Sequence, residues 1–111
     1  MLKIKDNVDL KELEKFGYKK GEDMLCCSYS AYGKIYEQQL DNILKVDVKN
    51  AIFVVEIDKK EKIIQLNLTT KTAFRCFSYK RDDIVKPYIQ DLIQAGLVEK
   101  VEDKWLNRYK L

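Results

Sequence analysis

The stretch AIFVVEIDKKEKIIQLNL, residues 51–68, constrains this chain most strongly. Phe53, Val55 and Ile57 alternate on one parity, Ile64, Leu66 and Leu68 alternate after them, and a charged DKKEK lies between. A period of two gathers apolar residues on one face of a pleated strand but scatters them around a helix. Two such runs joined by a short polar turn predict an antiparallel hairpin with one face needing cover. The first strand extends back through VDVKN, and Phe74, Cys76 and Ser78 continue the alternation after a TTKT break. An antiparallel meander is the natural assembly, with Phe74 and Cys76 facing the core.

Cover for that face comes from two helical patterns. In VDLKELEKFGY, residues 8–18, Asp9 is placed as N-cap and Glu12 as its capping-box partner, while Val8 and Leu13 form a hydrophobic staple. Leu10, Leu13 and Phe16 make the buried stripe, and Gly17 supplies a left-handed stop. A longer helix is expected over about residues 83–95, where Ile84, Val85, Tyr88, Ile89, Leu92 and Ile93 share one face. Gly96 stops it and Leu97 packs back. Pro87 disturbs the first turn, because proline lacks an N–H and disfavours a helical residue before it. The tail LVEKVEDKW reads as a short strand followed by a Trp105 anchor.

The segment from Met24 is less determinate. Leu25, Cys27, Tyr29 and Ala31 share a strand parity, and Gly33-Lys34 fits a glycine-first hairpin turn with IYEQQL returning. Tyr36, Leu40, Ile43 and Leu44 also have helical spacing, so residues 35–45 carry both periods. At 111 residues with four glycines and one proline, residues 1–111 read as a single domain built mostly of regular elements. The expected fold is α+β: an antiparallel sheet of four to five strands, a short N-terminal helix, and a longer C-terminal helix packed on one face.

Chemistry finds little to work with. The chain has three cysteines and no histidine, too few ligands for a closed zinc site. Cys26 and Cys27 are adjacent, so on a strand they point to opposite faces and cannot share a metal or an unstrained disulfide. Cys27 and Cys76 fit as small buried hydrophobes. Nucleophilic thiols and serine triads both lack their usual base. Asp82-Asp83 suits a helix start, and Glu102-Asp103 lies beside Lys104 in a turn. There is no glycine-rich phosphate loop. The expectation is therefore a non-enzymatic protein with no metal, no catalytic residues and no cofactor; an enzyme would need convergent Lys, Tyr and carboxylate groups. The N-terminus lacks the apolar run of a signal peptide and the cysteine count is odd, which points to the cytoplasm and away from a membrane.

Charge singles out one surface. From Lys59 to Arg81 there are seven basic residues against Glu61 alone, so this segment carries +6 and the rest of the chain −3. Within KTAFRCFSYKR, residues 71–81, an inward Phe74 and Cys76 would leave Lys71, Arg75, Phe77, Tyr79 and Arg81 outward, with aromatics between cations. Such a strip suits a protein interface first and single-stranded nucleic acid second; its bland alternative is that Phe77 and Tyr79 lie under the last helix. A free sheet edge also invites a homodimer.

The opening KIKDNVDLKELEKFGYKK and the closing DLIQAGLVEKVED resemble the two ends of small uncharacterised prophage proteins of low-GC Gram-positive bacteria. The resemblance covers the chain ends and carries no chemical motif. It implies a short cytoplasmic accessory protein that acts by binding a host or phage macromolecule, including as an inhibitor.

Overall fold

Asp58 sets the geometry of the central hairpin. Its carboxylate accepts from Glu61 N at 2.5 Å and Ile63 N at 2.8 Å, and its carbonyl accepts from Lys62 N at 3.0 Å. An aspartate that bonds backbone amides just ahead of it fixes a turn at little entropic cost, and Lys62 completes the reversal at φ 61°. The register that follows pairs Ile57 with Ile64, Val55 with Leu66 and Phe53 with Leu68, so directly opposed residues share a face. All six are buried.

A computed structural model describes residues 1–23, 29–36, 51–70 and 76–101. These residues contain a seven-stranded sheet, antiparallel at every pairing. Its strands are β1 (Leu2–Ile4), β2 (Lys19–Lys20), β3 (Ala31–Tyr36), β4 (Ala51–Asp58), β5 (Ile63–Thr70), β6 (Cys76–Tyr79) and β7 (Val98–Lys100). The order is β2-β3-β4-β5-β1-β7, with β6 also paired to β5. One edge of β5 is thus shared, β1 taking Ile63 and Ile64 while β6 takes Leu66 to Thr69.

One face of the sheet carries the core. Phe53, Val55, Ile57, Ile64, Leu66 and Leu68 join Leu2, Ile4 and Tyr32 and are covered by Leu10, Leu13, Tyr18, Val85, Tyr88, Ile89 and Leu92. Tyr88 stacks on Phe53 with ring centroids 5.9 Å apart. At the margin of this layer Lys34 reaches out with its ammonium 5.6 Å from the Tyr18 ring centroid and 3.6 Å from the Asp91 carboxylate. Among the described residues, no helix is long and apolar enough to cross a membrane.

The cover differs from the expected pair of helices. Leu10–Phe16 is a 3-10 segment, capped by Asp9 through Lys11 N at 3.0 Å and stopped by Gly17 at φ 90°. The longer C-terminal helix does not form. Residues 82–94 divide into α1 (Asp82–Val85), a 3-10 turn at Lys86–Tyr88 and α2 (Gln90–Gln94). Pro87 removes a donor inside what would be the helix, and Ile89 at φ −125°, ψ 27° leaves the helical region altogether. The apolar stripe survives because both short pieces still turn Val85, Tyr88, Ile89 and Leu92 inward. Gly96 at φ 75° then ends α2, with Leu97 N bonded back to Leu92 O. The protein is therefore mainly an antiparallel sheet with short helical segments, and the expectation of four to five strands under a long helix is corrected.

Two further expectations fail. Gly33-Lys34 makes no hairpin turn; β3 runs straight through it, Gly33 pairing with Lys19 on one side and Glu56 on the other. In β6 the parity is reversed, since Tyr79 lies opposite Leu66 and Phe77 opposite Leu68, on the core side. Ser78 lies opposite Asn67 on the other face, and Cys76 pairs with Thr69 in the ladder. Residues 71–79 hold apolar residues on both parities, so alternation alone could not choose between them. Cys26, Cys27, Phe74, Glu102, Asp103 and Trp105 lie outside the described residues, as do residues 37–45.

Candidate binding edge and a polar groove

β6 is positioned by β5 alone among the described residues, so its outer edge carries no strand there. In a strand paired on one side, half of the backbone N–H and C=O groups point away from the sheet. Phe77 sits on this strand with 54% of its surface exposed, while Tyr79 is partly buried and packs against the core. Lys80 and Arg81 follow directly and are exposed. Arg81 forms a two-pronged contact with the Asp83 carboxylate, Nε at 3.1 Å and Nη2 at 2.8 Å, with both side chains largely in solvent. Such an exposed pair contributes little to stability and yields readily to a competing carboxylate. Lys71 and Arg75 lie outside the described residues.

Two members of the basic segment are taken up by the fold. Lys62 turns inward over the first loop, its ammonium donating to Val8 O at 2.6 Å and Asp6 O at 3.2 Å. Lys59 stands 3.8 Å from Glu22 and 5.8 Å from the Tyr32 ring centroid. These two cations serve the fold at the turn end of the hairpin, and Lys80, just past β6, borders a groove with Asp58 and Glu61 of that turn.

The other face of the sheet holds a polar arrangement that the alternation of apolar residues hides. Glu56, Gln65, Asn67 and Ser78 occupy the parity opposite to the core on β4, β5 and β6. Gln65 Nε2 donates to Glu56 Oε2 at 3.1 Å and to Asn67 Oδ1 at 3.2 Å, and Ser78 Oγ donates to the same Asn67 oxygen at 2.8 Å. Glu56 is only 8% exposed and Asn67 is buried with it. A buried carboxylate persists only where donors satisfy it, and this ladder supplies one.

Beside the ladder opens a groove of about 300 Å³, bordered by Ser30, Glu56, Asp58, Glu61, Gln65 and Lys80. Two of these three carboxylates have structural work: Asp58 holds the turn and Glu56 accepts from Gln65. Among the described residues there is no group of three or more Cys, Asp or Glu able to hold a metal ion. Asp82 and Asp83 fall in the first turn of α1, with Asp83 held by Arg81 and Asp82 standing 3.8 Å from Lys100.

Comparison with protein-family models, with curated proteins and with solved structures finds no match. The site must therefore be read from its own geometry. The polar ladder was available in the sequence as Glu56 between Val55 and Ile57, and as Gln65 and Asn67 between Ile64, Leu66 and Leu68. Counting back from the DKKEK turn places Glu56 opposite Gln65, but the share taken by Ser78 needed the pairing of β6.

Proposed function

We propose that this chain is a small non-enzymatic binding protein of the cytoplasm that engages a protein partner on the β6 side of its sheet. The observation that carries this reading is Phe77, a large aromatic ring more than half exposed on a strand that is paired on one side among the described residues. Aromatic anchors next to arginine are the residues that dominate protein interfaces once desolvated, and Phe77 lies four residues from Arg81. The resemblance of the chain ends to prophage proteins makes a host or phage protein the partner to seek.

Single-stranded nucleic acid is the weaker reading of the same residues. Stacking needs free ring faces interleaved with cations, and Tyr79 packs against the core. Asp82 and Asp83 also follow Arg81 immediately and lower the local potential.

The test is affinity capture from a Gram-positive bacterial lysate with the wild-type chain and with Phe77→Ser/Arg81→Glu. A partner held by the wild type and lost by the folded double variant supports the surface. Equal retention removes β6 from the interface. In parallel, labelled oligothymidine is titrated at two salt concentrations; tight binding that falls steeply with salt would transfer the surface to nucleic acid.

A further inference from the structure

We draw no further inference here: the strongest candidate, the groove of about 300 Å³ that Glu56, Asp58, Glu61 and Lys80 border on the polar face of the central hairpin, is a cluster of carboxylates two of which already hold the ladder and the turn, and no second observation points to a ligand there.

Discussion

Tyr88 shows how one side chain can be both core and a titrating group. Its ring stacks on Phe53 beneath the sheet, and burial pushes its phenol pKa up to about 12. In the unfolded chain a tyrosine loses its proton near pH 10, roughly two units earlier. The folded state therefore keeps a proton that the unfolded state releases, and the stability contributed by Tyr88 is full below about pH 10 and declines as pH rises toward 12. Tyr88→Phe keeps the ring and deletes the titration. Its thermal midpoint should fall less than the wild type's between pH 10 and 12, and an identical decline would show that Tyr88 does not govern the alkaline limb. Lys62 makes the complementary point about charge: its ammonium binds backbone carbonyls of the first loop, so a residue counted toward a basic surface works as a clamp.

Among the elements, the central hairpin is the one whose two faces are both specified. Its apolar parity builds the core, and its polar parity builds the ladder of Glu56, Gln65 and Asn67. Gln65→Leu would remove one donor from two buried acceptors, at a cost of about 1–3 kcal/mol in urea unfolding. The double variant Glu56→Leu/Gln65→Leu should recover part of that loss, because an apolar pair leaves no carboxylate without its amide donor; greater destabilisation than Gln65→Leu alone would contradict the ladder's role. The C-terminal cover behaves differently. Its inward stripe was legible in the spacing of Val85, Tyr88, Ile89 and Leu92, yet its continuity was not, because Pro87 and the backbone of Ile89 break it into short turns. Burial, more than helical hydrogen bonding, holds those residues in place. β6 marks the limit of pattern reading: with apolar residues on both parities, its facing was set by the register that places Tyr79 opposite Leu66 and Phe77 opposite Leu68.

Across the whole molecule, the two ends of the described chain close the sheet. β1 is inserted between β5 and β7, so residues 2–4 connect a hairpin in the middle of the sequence to a strand near residue 100. Ile4 is completely buried in that join. Ile4→Ala should cost about 2–5 kcal/mol. It should also speed hydrogen exchange in β7 more than in β4, since among the described residues β7 pairs with β1 alone while β4 is paired on both sides. Uniform acceleration everywhere would mean that β1 is not a local keystone.

What the sequence determined by itself was local: the hairpin and its turn, the caps at Asp9 and Gly17, the stop at Gly96, and the inward stripes, each set by spacing within about a dozen residues. What the tertiary structure decided was everything that depends on distant partners: the insertion of β1, the facing of β6, the passage of β3 through Gly33, and the use of Lys62 as a clamp on the first loop. Periodicity specifies which residues seek cover. Only the packed chain specifies what covers them, because cover is supplied by elements far away in sequence and competed for by every other apolar surface.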